Sequence, residues 1–208
     1  LKRPYAVRKP KGYRVQEPGD LVEIDTLDVR PLPGVILKHY TARDLVSRWD
    51  VLGVYTRATA TTARSFLDQV IARMPFDVKA IQVDGGSEFQ AAFEQACQDM
   101  ELHLFVLPPR SPKLNGHVER AQRTHSEEFY QLYDGDLQVE PLNRALLGWE
   151  GVYDTIRPHQ SLGYLTPQQY LGLRQPTQRP SFALSATSNT PGKSRPGTRK
   201  GEGAARGP

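Results

Sequence analysis

With a single cysteine, Cys97, among 208 residues, the chain has no disulfide framework and no cysteine-rich zinc site. Its five histidines form no His-x-x-His or His–Cys pairing of the kind zinc uses. No apolar run approaches the ~20 residues of a membrane span, and no signal peptide is visible, so a reducing cytoplasm is expected. The chain opens on Leu1 rather than Met, which leaves room for an upstream domain. Acids are scarce at both ends. Residues 1–20 hold six Lys/Arg against two Asp/Glu, residues 176–208 hold six against one, and residues 21–175 hold 15 against 20. An acidic centre between two basic arms suits a protein that clamps a polyanion around a cation-binding centre, although basic arms also aid solubility.

What is present divides into three parts. Residues 1–18 have no sustained apolar period and read as a basic linker. Residues 19–174 carry the periodic segments of one domain. Residues 175–208, rich in Pro, Ser, Thr, Gly and Arg, read as a disordered basic tail. Within the domain, Leu21–Val29, Val35–Thr41 and Trp49–Arg57 are three β-rich runs, read as an antiparallel meander around the turn RPLPG. A helix follows, capped by Thr61 or Thr62 and stopped by Pro75, with Ala63, Phe66, Leu67, Val70, Ile71 and Met74 as its stripe. Ala80–Val83 is a short buried strand. Ser87-x-x-Gln90 is a capping-box pattern opening a second helix whose stripe includes Cys97, hence a core cysteine. His103–Leu107 is a fifth strand, Arg110–Gly116 a loop, and His117–Tyr133 a third helix. A last long helix starts at Pro141, with Leu142, Ala145, Leu146, Trp149, Val152, Tyr153 and Ile156 inward. The order of strands and helices predicts an α/β domain with a mixed sheet covered by helices.

The chemistry gathers at three carboxylates. Asp25 and Asp84 each end an apolar strand, where ligands collect in open α/β sheets. If the first and fourth strands are neighbours, these two stand side by side and repel unless a cation lies between them. Glu119 opens the third helix. Asn115, Glu119 and Arg123 share one face of it, Arg120 flanks them, and Arg110 and Lys113 sit on the preceding loop. Hard oxygen ligands in small number suit Mg²⁺ or Mn²⁺, and two ions about 3.5–4 Å apart serve phosphoryl chemistry. The nearby cations would neutralise phosphates. Taken singly, each acid has a plainer reading as a turn, cap or first-turn residue. Asp28, Glu23 and Glu88 are rival carboxylates of lower rank. His117 reads as a substrate contact and His125 as a packing residue.

Four segments, PGDLVEIDT (18–26), VDGGSEF (83–89), SPKLNGHVERAQRT (111–124) and RPHQSLGYLTPQQYL (157–171), resemble the catalytic core of DDE transposases and retroviral-type integrases, above all bacterial insertion-sequence transposases. The resemblance spans roughly residues 18–172. It implies a ribonuclease H-like fold, a five-stranded mixed sheet with the first and fourth strands adjacent. It implies Asp25, Asp84 and Glu119 as catalytic residues and ligands of two Mg²⁺ (or Mn²⁺) ions. DNA would be met by Arg110, Lys113, Asn115, His117, Arg120 and Arg123, with Asn115 and Gly116 shaping a flexible loop. The implied reaction is DNA strand cleavage at a transposon end and strand transfer into target DNA. The implied partners are those DNAs and a homodimer or higher oligomer, with no membrane, in a bacterial cytoplasm near the nucleoid. Tyr153-Asp154 departs from the family's more usual Tyr-Asn. Two other readings keep the fold: a metal-dependent nuclease without strand transfer, and a non-catalytic DNA-binding relative.

Overall fold

The computed structural model describes residues 5–108 and 116–174. The expected tail from 175 onward, and Arg110, Lys113 and Asn115 of the expected loop, lie outside the described residues. The strands are β1 (Val22–Val29), β2 (Leu37–Asp44), β3 (Asp50–Tyr55), β4 (Ala80–Val83) and β5 (His103–Val106). They form one sheet in the order β3-β2-β1-β4-β5. The first three are antiparallel neighbours, as the meander reading requires, while β4 runs parallel to both β1 and β5. The helices are α1 (Ala60–Arg73), α2 (Ala92–Asp99), α3 (Gly116–His125), α4 (Val139–Thr155) and α5 (Pro167–Leu173). No helix among the described residues is long and apolar enough to cross a membrane.

Strand alternation gives the sheet two chemically different faces. Val22, Ile24, Tyr40, Ala42, Val51, Ile81 and Val83 point to one side and form the main core with Phe66, Leu67 and Val70 of α1 and Phe93, Ala96 and Cys97 of α2. Cys97 is fully buried there, and burial pushes its thiol up to about 12, as expected of a core cysteine. The intervening residues Glu23, Asp25, His39, Thr41, Arg43 and Gln82 supply the other face, and α3 lies across it on β1 and β2. Further along that side, Leu37, Leu52 and Val54 pack with Phe129, Leu142 and Leu146. The site therefore grows on the polar centre of an otherwise apolar sheet.

Both sheet edges are covered, which removes the unpaired strand backbone that invites misassociation. Residues 5–18, expected as a linker, are instead docked on β5. Val7 bridges to Phe105, the Val7 N–H donates to the Leu104 carbonyl at 3.0 Å, and the Tyr5 hydroxyl donates to the Leu102 carbonyl at 2.6 Å. The side chains of Tyr5 and Tyr13 and the backbone of Val7 do this without an apolar period to announce it. At the other edge, α4 reaches β3 with polar side chains. The N–H groups of Asp50, Leu52 and Val54 donate to Asp154, Glu150 and Asn143 at 3.0, 2.7 and 2.8 Å. Glu150 and Asp154 therefore face inward, while Val152 and Ile156, expected in the apolar stripe, are exposed.

Three helix starts differ from expectation. The N-cap of α1 is Thr59, not Thr61 or Thr62, and Thr62 returns its hydroxyl to the Thr59 N–H. The Ser87-x-x-Gln90 segment makes only a 3-10 turn, Ser87–Phe89, before Ala91 takes φ 48° and α2 begins. The break swings Phe89 into the core against Phe93 and Tyr40, so burial of one aromatic outweighs the capping pattern. Pro141 is the third rather than first residue of α4, still within the turn whose N–H groups have no helical partner. The third helix continues past His125 as a π turn, Ser126–Tyr130, close to the predicted span.

Candidate active site

The parallel register of β1 on β4 sets Ile24 opposite Val83. The next residues, Asp25 and Asp84, therefore stand side by side, Asp84 just past the end of β4 but Asp25 in the middle of β1 rather than at its end as expected. Asp84 folds back, its Oδ1 accepting the Gly86 N–H at 2.8 Å. Glycine at 86 leaves room for the ends of two acidic side chains. A Cβ there would stand 2.9 Å from Asp84 Oδ1 and 2.7 Å from Glu88 Oε2, so the DGG sequence lets two carboxylates approach the same point. Glu88 is thus nearer the site than its rank in the sequence suggested.

Asp25 is half-buried, with Oδ1 accepting the Thr26 N–H at 2.9 Å and Oδ2 accepting Gln122 Nε2 at 3.3 Å. Burial pushes its carboxyl up to about 6, and the charges of Asp84 and Glu119 push the same way, against its two hydrogen bonds. Glu119, in the first turn of α3, is exposed. The other two predicted carboxylates are thus within electrostatic reach of Asp25. The three do not converge. Among the described residues no three His, Cys, Asp or Glu side chains are close enough to hold a metal ion. Like charges repel, and Asp25 and Asp84 each turn an oxygen to a nearby backbone N–H. The donor set nonetheless fits Mg²⁺ or Mn²⁺: carboxylate oxygens alone, one carboxyl held high by its like-charged neighbours.

What holds α3 over the strands was not legible. Glu23, on the same face of β1 as Asp25, is 1% exposed. Its carboxylate accepts Gln82 Nε2 at 3.0 Å and the Val118 N–H at 3.3 Å. Burial drives it up to about 7, against the Val118 N–H and nearby cations. The rival carboxylate is an anchor that ties the first turn of α3, and with it Glu119, to the sheet. Gln122, missed in the sequence, is the second tie; its spacing of three from Glu119 was the available signal. Asp28 makes an exposed ion pair with Lys38.

The predicted DNA contacts separate. His117 and Arg120 are exposed on α3 and line a pocket of about 340 Å³ together with Arg43, Arg48, Arg157 and His159. Arg123 points elsewhere and pairs with Glu127 at 2.8 Å. His125 is fully buried and faces Asp50 Oδ2 at 3.0 Å, as a packing residue should. Asp50 is also gripped by Arg43 through two 2.7 Å bonds.

The model of the integrase core domain matches residues 100–167. No curated protein sequence matches the chain. Among the solved structures that share its fold are three of viral origin. A chain of the simian T-cell lymphotropic virus intasome in complex with PP2A regulatory subunit B56 gamma superposes with a TM-score of 0.65 at 17% identity, covering 86% of this chain. The present chain spans only 62% of that one. The catalytic core domain of BIV integrase gives 0.58 at 23% identity, covering 74% of this chain and 94% of its own. The HTLV-2 integrase catalytic core in complex with magnesium, in a dimeric form, gives 0.61 at 16% identity, covering 76% and 99%. Residues 100–167 thus match the integrase core domain, and the described chain has the ribonuclease H-like fold of retroviral integrase catalytic cores.

Proposed function

We propose that this domain is a metal-dependent polynucleotidyl transferase that cleaves a DNA strand at a transposon end and joins it to target DNA. The observation that carries the reading is the adjacency of Asp25 and Asp84 across the β1–β4 pair, beneath a helix that bears Glu119 and is tied down by Glu23 and Gln122. Asp25, Asp84 and Glu119 would hold two Mg²⁺ or Mn²⁺ ions. When bound, such ions activate the attacking oxygen and stabilise the departing one. The chain's own residues do the rest. Glu23 and Gln122 hold the spacing between helix and strands, and Gly86 keeps the space beside Asp84 clear. Arg120 and His117 lie on a neighbouring face of the helix that bears Glu119, where they would meet the phosphate backbone. A dimer or larger assembly acting on DNA belongs to the same reading, as does an address in the bacterial cytoplasm near the nucleoid; the HTLV-2 core that shares the fold is known in a dimeric and a trimeric form.

Asp84→Asn removes a ligand charge without changing shape. It is expected to abolish Mg²⁺-dependent cleavage of a labelled terminal oligonucleotide while leaving DNA binding within about twofold. Cleavage at the wild-type rate would refute the assignment. Cleavage without joined product in the wild type, with Mn²⁺ supplied, would reduce the activity to that of a nuclease.

A further inference from the structure

The basic pocket is not part of the carboxylate site. His117, Arg120 and Thr124 lie on one stripe of α3 and form its wall, whereas Gln122 turns the other way to Asp25. One helix therefore separates two chemistries: carboxylates on one side, arginines on the other. The opposite walls are the end of β2 with Arg43, the β2–β3 turn with Arg48, and the 157–161 segment. Four arginines and two histidines line the pocket and no carboxylate does.

The cations are not equivalent. Arg43 is spent on Asp50, and Arg157 makes two bonds to Glu128 at 2.8 and 2.5 Å. These pairs lock their guanidinium groups into the wall. Arg48 and Arg120, among the described residues, have no carboxylate partner, and the side-chain contact of Arg48 is His117 Nδ1 at 3.1 Å. Arg48 also sits at φ 63° in a turn braced by Asp44, whose Oδ2 accepts the Val46 and Ser47 N–H groups. A left-handed non-glycine backbone is strained and persists where its surroundings over-determine it, often where a side chain must be aimed. The strain here aims a cation at other cations. An anion between them would reverse that repulsion.

We infer that this pocket binds one phosphate group of a nucleic-acid strand, independent of base sequence, as an anchor separate from the carboxylates. The inference rests on the proposed function only in taking nucleic acid as the source of the phosphate. The pocket is at the small end of ligand sites, which run from about 300 to 1,000 Å³. Of its rings, Tyr153 and His159 are buried, Tyr153 being bonded to Arg43, and His117 is engaged by Arg48, so no open stacking platform is offered to a base. An α-helix with its side chains is about 10–12 Å across, so a strand passing over α3 would meet both sites within a few nucleotides.

Arg48→Gly tests this, because glycine keeps the turn while deleting the guanidinium. Binding of a single-stranded oligonucleotide is followed by fluorescence anisotropy in EDTA across a salt series, so that loss of cleavage does not bear on the result. Arg48→Gly is expected to bind roughly tenfold more weakly, with the slope of log K against log salt reduced by about 0.7. Its Tm should equal or exceed that of the wild type, which a purely structural arginine would not allow. Arg48→Lys should recover part of the affinity, and Arg64→Ala, on α1, should change nothing. Wild-type affinity and slope in Arg48→Gly would overturn the inference whatever the enzyme's activity. Protection of the wild type by inorganic pyrophosphate, lost in Arg48→Gly while oligonucleotide binding is unchanged, would also overturn it in favour of a free anion.

Discussion

Asp154 is 1% exposed, and its carboxylate accepts the Asp50 N–H. Burial, reinforced by the charges of Asp50 and Glu150, holds its carboxyl well above the ordinary range. An acid whose folded pKa is raised favours the fold only while protonated. The penalty is absent below the unfolded pKa of about 3.9 and grows as pH rises toward the folded value. Asparagine offers the same acceptor without the charge. Asp154→Asn should therefore stabilise the chain by about 1–2 kcal/mol near pH 7 and by almost nothing near pH 3.5, read as Tm against pH. The Tyr-Asp departure noted in the sequence falls at this position, where an asparagine would also accept the Asp50 N–H. The residue types at the site were legible one at a time. The distinction between Asp25 and Glu23 was not, because both lie on the same strand face, and only the position of α3 makes one an anchor and leaves the other facing Asp84.

The α4–β3 contact is the element on which sequence periodicity misled most. Glu150 and Asp154, four apart, and Asn143, seven before Glu150, share a helical face. That face meets N–H groups at every second residue of an edge strand. An apolar stripe drawn through Val152 and Ile156 ignored that an edge strand needs acceptors more than it needs methyl groups. Asn143 is the cleanest probe, because it takes the Val54 N–H and returns its Nδ2 to the Val54 carbonyl, both at 2.8 Å. Asn143→Ala should cost about 1–3 kcal/mol in denaturant unfolding, with the slope unchanged. Glu150 is more tightly bound, since Arg73 joins it from α1 and also donates to the Leu52 carbonyl at 2.9 Å. Through that arginine the edge strand, α1 and α4 lock together.

At the scale of the whole molecule, the carboxylates around Asp25 are a repulsive centre inside a stable frame. Millimolar Mg²⁺ or Mn²⁺ should raise the Tm of the wild type, by up to about 2.7 kcal/mol of stability at a hundredfold excess over the dissociation constant, and should leave Asp25→Asn or Asp84→Asn almost unshifted. An equal rise in those variants would place the ion elsewhere. The sequence alone determined the class of the fold, the order of its strands and helices, the buried Cys97 and the three carboxylates, because hydrophobic period and turn chemistry are local properties of the chain. The four motifs carried the adjacency of β1 and β4. Tertiary structure decided what depends on distance between remote segments. It set Glu23 beneath Val118, docked residues 5–18 on β5, turned α4's acids toward β3, and brought Arg48 to face Arg120 across 72 positions of chain. A charge in a sequence has no neighbours until the sheet and its helices are packed, and whether it serves as ligand, anchor or anion receptor follows from those neighbours.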